Sequence, residues 1–426
     1  MERQYKDSGI EWIGAVPEFW QYKRFKYSGV FEKGKLPLSS NIERIGLPII
    51  GASEMLGKDA RTYTSDQSVP RCKEDDILIL WDGANAGITS SGLNGVVSST
   101  AVKYTCKDKD ILPKYVAYLL KYAEHYFKEK VNGTTIPHMN MAYINDIPLL
   151  CPSLHEQQRI VDYLDEKCGE LDSLIELQEQ MIEKLKAYKQ SVITEAVTKG
   201  LDPNANLVSS CIDWIGEIPE GWAVVPLKSI LQRRTEKNNP VKTKERLSLS
   251  IDKGVTLYAE KTTNLDRFKD DFTQYQLAYP NDIVLNSMNM IVGAVGLSNY
   301  YGCVSPVYYV VYSKSANTDI KYYSYLLNTQ RIRDVYHSLG QGIYAIERGE
   351  GRVNTCRLKV SYDDFGVLRI PVPPLFEQQA IASYLDEKCV DIDRLIDMKQ
   401  QKIEKLKDYK KSVIYEAVTG KINIES

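Results

Sequence analysis

The chain has no apolar run that approaches the ~20 residues a membrane-spanning helix needs, and no basic-then-apolar leader opens it, so a cytoplasmic address is the expectation. Its eight cysteines, at 72, 106, 151, 168, 211, 303, 356 and 389, include no CxxC pair. That argues against a zinc ribbon and a disulfide framework and fits reduced thiols. The four histidines, at 125, 138, 155 and 337, show no metal-ligand spacing. No GxxxxGK[ST] phosphate loop occurs, which argues against ATP hydrolysis in this chain. The Asn/Asp-Pro-Pro-aromatic motif of amino-methylating enzymes is missing, because Pro373-Pro374-Leu375-Phe376 lacks the leading Asn or Asp. Gly340-x-Gly342 is too short for a dinucleotide loop and follows a helical pattern, not a strand. Pro280-Asn281-Asp282 is only faintly like a nuclease motif, and its Asp has a counterpart before a plain strand in the other half.

An excess of charge of either sign is also lacking, with 54 basic against 56 acidic residues. The net charge is −2 over 426 residues, which does not announce a nucleic-acid binder. Residues 153–200 hold 6 basic and 10 acidic side chains and residues 374–422 hold 9 of each, leaving the remainder at +2. If this chain holds DNA, partners are expected to supply part of the phosphate neutralisation.

What is present is a repeat. Pro152, Glu156, Gln157, Gln158, Ile160, Tyr163, Leu164, Asp165, Glu166, Lys167 and Cys168 return 221 positions later as Pro373, Glu377, Gln378, Gln379, Ile381, Tyr384, Leu385, Asp386, Glu387, Lys388 and Cys389. The match resumes at Ile182 to Lys186 against Ile403 to Lys407, and at Ser191-Val192-Ile193 against Ser412-Val413-Ile414. Ile10, Trp12, Ile13, Gly14, Pro17, Glu18 and Trp20 return at an offset of 202 as Ile212, Trp214, Ile215, Gly216, Pro219, Glu220 and Trp222. The chain is two related halves, and its function must use a pair of things. The tryptophan stretches read as straps packed on each half.

Between strap and long segment, each half reads as short strands, turns and one helix. Ile77 to Leu80 is a buried-strand pattern, followed by a loop from Trp81 to Gly87. Tyr115 to Lys130 is a helical pattern with Val116, Leu119, Leu120, Ala123 and Phe127 on one face. Anchors such as Asp76-Ile77 and Asp282-Ile283 recur, while the residues between them differ almost everywhere. That is the pattern of two readers with two targets. Half two is longer by 19 residues, and 14 of these fall in a loop from Gly340 to Arg357. Its glycines allow close backbone approach, and its arginines suit phosphates and guanine edges.

The two long segments carry apolar residues at spacings of three and four. In the first these are Leu164, Cys168, Leu171, Leu174 or Ile175, Met181 or Ile182, Leu185, Tyr188, Val192 and Ala196. In the second they are Leu385, Cys389, Ile392, Leu395 or Ile396, Ile403, Leu406, Tyr409, Val413 and Ala417. Gln178 and Lys399 interrupt the stripe, as polar steps that set coiled-coil register do. The predicted fold is α+β: two repeated mixed domains separated by two long helices that form an antiparallel coiled coil. About 30 residues of helix span about 45 Å, against about 34–36 Å for one turn of B-DNA. A rod of that length is expected to set two readers about one helical turn apart.

The strap Asp7-Ser8-Gly9-Ile10-Glu11-Trp12-Ile13-Gly14 with Pro17, Glu18 and Trp20, the Gly133-Thr134-Thr135-Ile136-Pro137 turn, the Ile370 to Gln379 approach to the second helix, and its end at Ser412-Val413-Ile414 with Glu416 to Gly420 resemble the specificity subunit of type I restriction–modification enzymes. The resemblance covers the whole chain in two tandem half-units. It implies target recognition domains at 1–152 and 205–373, and spacer helices at 153–200 and 374–422. It implies a non-catalytic chain that reads a bipartite double-stranded DNA site and docks two modification subunits and the restriction subunits. S-adenosylmethionine, ATP and Mg are then expected in those partners and no cofactor in this chain. Half two departs from the pattern: it has Gly340-Gln341-Gly342-Ile343 in place of the Gly-Thr-Thr-Ile-Pro turn.

Candidate DNA contacts are Trp81, Asp82, Asn85, Thr134, Thr135, His138 and Asn140 in half one, and Asn286, Ser287, Asn289, Tyr308, Gln341, Arg348 and Arg352 in half two. Asn and Gln can pair bidentately with adenine and Arg with guanine; the remaining residues suit phosphate. The competing classes are a self-contained DNA methyltransferase or nuclease, and a coiled-coil protein with no DNA role.

Overall fold

The computed structural model describes residues 4–10, 12–130, 138–145, 147–251, 253–260, 271–343, 347–348, 352–353 and 357–424. It forms two compact units, Met1–Glu179 with Gln400–Ser426, and Gln180–Lys399. Each unit holds one globular domain together with the adjoining part of both long helices. No helix among the described residues is long and apolar enough to cross a membrane.

In unit one, four strands pair antiparallel in the order Gly29–Lys33, Ala101–Cys106, Ile77–Leu80, Thr89–Ser90. Unit two repeats that order with Leu231–Arg233, Tyr308–Ser313, Ile283–Asn286 and Val295–Leu297. The strap hairpin recurs in register: Tyr5 faces Pro17, and Leu207 faces Pro219. A further two-stranded ladder closes each domain, with Pro148 opposite Arg24 in one and Arg369 opposite Pro226 in the other. The second sheets differ. Unit one has a four-stranded sheet in which Leu47–Ile50 runs parallel to Gly95–Val97. In unit two one parallel bridge among the described residues, Arg246 to Cys303, holds that position. The sequence anchors thus fall in the shared sheet, and the divergent residues fall outside it.

The Pro-x-x-x-Glu-Gln-Gln signature is explained by how the domain grips the helix. The first long helix, Leu154–Lys199, runs 46 residues and the second, Leu375–Val418, runs 44. Gln157 accepts the Leu112 N–H at 2.8 Å and donates to the Pro152 carbonyl at 2.9 Å. Gln378 does the same with the Asp319 N–H and the Pro373 carbonyl, both at 2.8 Å. Two turns along, Asp165 takes Lys114 at 2.6 Å and the Tyr118 hydroxyl at 2.7 Å, and Asp386 takes Lys321 at 2.7 Å and Tyr325 at 2.8 Å. Burial, and then Asp165, push the Tyr118 hydroxyl up, so it stays a neutral donor.

Each domain also meets the end of the other helix. In unit one the Tyr115 hydroxyl donates to the Val418 carbonyl at 3.3 Å. In unit two Tyr322 donates to the Val197 carbonyl at 2.8 Å. Leu164 and Cys168 share one core with Val413, Ile414, Ala417 and Val418. Ile193, Ala196 and Val197 share another with Ile381, Leu385 and Cys389. The start of one helix therefore packs against the end of its fellow, antiparallel, within each unit. Asp172 with Lys410 and Lys189 with Asp393, both at 2.7 Å, pair across the helices.

Of the expected seam residues, Leu164, Leu171, Leu385, Ile392 and Val413 are buried. Leu185, Val192 and Leu406 are half-buried. Ile182 is buried rather than Met181, and Ile396 rather than Leu395. Two stripe assignments need correction: Tyr188 is 55% and Tyr409 59% exposed. A two-helix seam is narrow, and a straight helix drifts about 20° per heptad from a strict seven-residue repeat. Tyr188 and Tyr409 therefore turn outward, while Ile193 and Ile414 are buried. Gln178 is 4% exposed, so the polar step lies inside the stripe.

Candidate nucleic-acid interface

Trp81 and Asp82 in domain one, and Asn286 and Ser287 in domain two, lie where the central strand of their domain ends. In domain one, Ile77–Leu80 is buried throughout and runs into Trp81. The Trp81 carbonyl accepts the Met139 N–H at 2.9 Å. In domain two, Ser287 follows Ile283–Asn286, and its carbonyl accepts the Val360 N–H at 3.1 Å. The same tether thus brings the chain back from each divergent loop to the same strand end. The turn beyond is shaped by Gly87 and its counterpart Gly293, at φ +90° and +94°. A Cβ on Gly87 would lie 2.8 Å from the Phe127 Cβ, and one on Gly293 would lie 2.6 Å from the Arg333 guanidinium carbon. Glycine suits the left-handed backbone at both turns, and at Gly87 it also allows the close approach of Phe127.

This arrangement gathers Trp81, Asp82 and His138. Asp82 and His138 form an antiparallel bridge, and the His138 Nδ1 lies 2.6 Å from an Asp82 carboxylate oxygen. Lys33 completes the group, 3.7 Å from Asp82 and 5.9 Å from the centre of the Trp81 ring. A carboxylate facing DNA is repelled by phosphate, and here a cation stands beside it. Lys33 was not among the sequence candidates. Its signal was present in Lys33-Gly34-Lys35, a basic pair around a glycine whose Cβ would lie 2.1 Å from the Ser98 carbonyl oxygen. Asn85 is exposed on the turn. Asn140 is exposed, but its Oδ1 accepts the Ala142 N–H at 2.9 Å. Bidentate pairing with adenine needs both amide atoms, so as placed it caps the Met141–Asn145 helix. Thr134 and Thr135 lie outside the described residues.

In domain two, Asn286 and Tyr308 stand opposite each other on paired strands. Asn286 Oδ1 is taken by the Met288 N–H at 3.1 Å. Burial pushes the Tyr308 hydroxyl up. Ser287 requires correction. It is fully buried, and its hydroxyl donates to the Val307 carbonyl at 2.7 Å, so it fixes the turn and does not face a ligand. Asn289 is exposed and opens the short Met290–Val292 turn without a side-chain cap. The expected Gly340 to Arg357 loop contains regular structure. Gln341–Ile343 pairs antiparallel with Arg357–Lys359, setting exposed Gln341 opposite Lys359. Glu347–Arg348 pairs with Arg352–Val353, so Arg348 and Arg352 are direct cross-strand neighbours. The described residues of this insertion thus form two short antiparallel ladders, and the outer strand Arg357–Lys359 ends one residue before the tether at Val360. Alternating glycines and charged residues hid this from a periodicity reading.

Known proteins share this plan. The profile of the type I restriction modification DNA specificity domain matches twice, over residues 17–187 and 219–408. The type I restriction enzyme MjaVIII specificity subunit of Methanocaldococcus jannaschii is 28% identical over 431 residues, covering 96% of this chain and 95% of that protein. The putative MjaX specificity subunit of the same organism is 26% identical over 445 residues, covering 97% and 96%. A chain from a solved structure concerned with complex assembly and conformational transition of the type I R-M system shares the fold, with a TM-score of 0.66 at 14% identity, over 96% of this chain and 99% of that one. The chain belongs to the type I restriction–modification DNA specificity family and is one of its specificity subunits.

Proposed function

We propose that each globular domain reads one half of a bipartite double-stranded DNA site, and that the chain itself performs no chemistry. The observation that carries this reading is the repeated strand-end tether with unlike residues around it. Two scaffolds held the same way on the long helices present different surfaces, and two surfaces suit two half-sites. In domain one Trp81, Asp82, Asn85, His138 and Lys33 face the first half-site. In domain two Asn289, Gln341, Arg348 and Arg352 face the second. The length of the long helices sets the spacer between them.

The near-zero charge balance of the chain supports shared phosphate neutralisation. We assign that share to two modification subunits, which would carry S-adenosylmethionine and methylate adenine, and to restriction subunits that would use ATP and Mg. Methylation assays on the chain alone and on the chain with its modification subunits test the division of labour. Activity only with the partners is expected. Methyl transfer by the isolated chain would overturn it.

A further inference from the structure

Arg233 ends the strand Leu231–Arg233, opposite Val311. Its guanidinium lies 5.0 Å from the centre of the Tyr309 ring and 4.9 Å from that of Tyr362. The two rings stand 5.4 Å apart, edge to face. Both are tied to the tether. The Tyr309 hydroxyl donates to the Val360 carbonyl at 2.8 Å, and Tyr362 opens the next short helix, capped by Ser361. The neighbouring Arg234 is already spent, because Asp282 takes its Nε and an Nη at 2.7 and 2.9 Å. Arg233 has no such acid within ion-pair distance among the described residues, and its buried Nε has no hydrogen-bond partner.

A guanidinium stays charged at any physiological pH, and burying part of it without a counter-charge is unfavourable. Aromatic faces offset only part of that. They also fix the plane, so the group is held ready for an anion rather than left to search. We infer that Arg233 binds a backbone phosphate of the DNA at the second half-site. The inference rests on the reading above, that domain two reads a DNA half-site. A base is the poorer ligand: base edges lie on the floor of a groove about 8.5 Å deep, and a recessed side chain does not reach there. The counterpart of Arg233 at the offset of 202 is Phe31, which packs edge-to-face on Phe25 and tilted on Tyr104, at 5.4 and 5.1 Å. The phosphate contact is therefore particular to the second reader.

The test uses the chain with its modification subunits and a duplex carrying the site mapped from genomic adenine methylation. Affinity is measured against salt for wild type, Arg233→Gln and Arg233→Lys, with thermal unfolding of each. Loss of one phosphate contact should lower the salt slope of log K by about 0.9 in Arg233→Gln. Arg233→Lys keeps the charge but not the stacked plane, so its slope should hold while affinity falls several-fold. A Gln variant that binds with the wild-type slope, or a Lys variant that binds as tightly as wild type, overturns the assignment. Wild type failing to prefer an intact second half-site over a scrambled one would instead overturn the reading on which it rests.

Discussion

The indole N–H of Trp20 donates to the carboxylate of Glu156 at 3.0 Å, and both residues are buried. Trp222 and Glu377 repeat the bond at 3.0 Å in the other half. The strap and the long helix, which the sequence shows as separate repeats with separate offsets, are thus one joint. It fixes the domain on the rod.

Glu156→Ala leaves a buried N–H without its acceptor. A loss of about 1–3 kcal/mol is expected. Denaturant unfolding should show it, and affinity for the first half-site should fall while the second is spared. Equal loss at both half-sites would show that the joint does not serve one domain.

Gly87→Ala introduces a Cβ at φ +90° and 2.8 Å from Phe127. The backbone term alone costs about 1–3 kcal/mol, and Gly293→Ala should behave alike. A thermal midpoint equal to wild type would mean that the turn relaxes freely.

Asp172 is 61% and Lys410 27% exposed at the side chain, so solvent screens their pair. Asp172→Asn should cost less than about 1 kcal/mol. A larger loss in chemical unfolding would assign the bridge a role in helix pairing beyond that of the apolar seam.

Arg348→Ala with Arg352→Ala is expected to weaken the second half-site by about 1–3 kcal/mol for each bidentate contact removed and to leave the first unchanged. Binding to duplexes with one half-site scrambled separates the two, and an equal loss at both would refute the assignment.

Seven residues added to each long helix, beside Gln178 and beside Lys399, should lengthen the preferred spacer. Selection from a library of duplexes with varied spacers reads this directly. An unchanged spacer would show that the helices do not measure it.

Much of the scaffold was legible, because repetition marks it. The offsets of 202 and 221 located the strap and the Glu-Gln-Gln grip, and Cys168 and Cys389 lie in the buried seam at 6% and 7% exposure. The interface was less legible. Asn140, Asn286 and Ser287 have the polar chemistry of readers, yet the two Asn side chains make local cap and turn bonds and Ser287 is spent on the distant Val307 carbonyl. Such bonds leave no periodic trace. Arg233 was passed over for a related reason: its setting between Tyr309 and Tyr362 joins residues distant in sequence.

The most direct measurement is the map of methylated adenines in cells that carry the chain and the modification subunits proposed for it, before and after residues 205–373 are exchanged for those of a relative. Two short blocks of defined sequence with an unspecified spacer are predicted, and the exchange should change one block only. A single continuous block, or an exchange that alters both, would contradict the account.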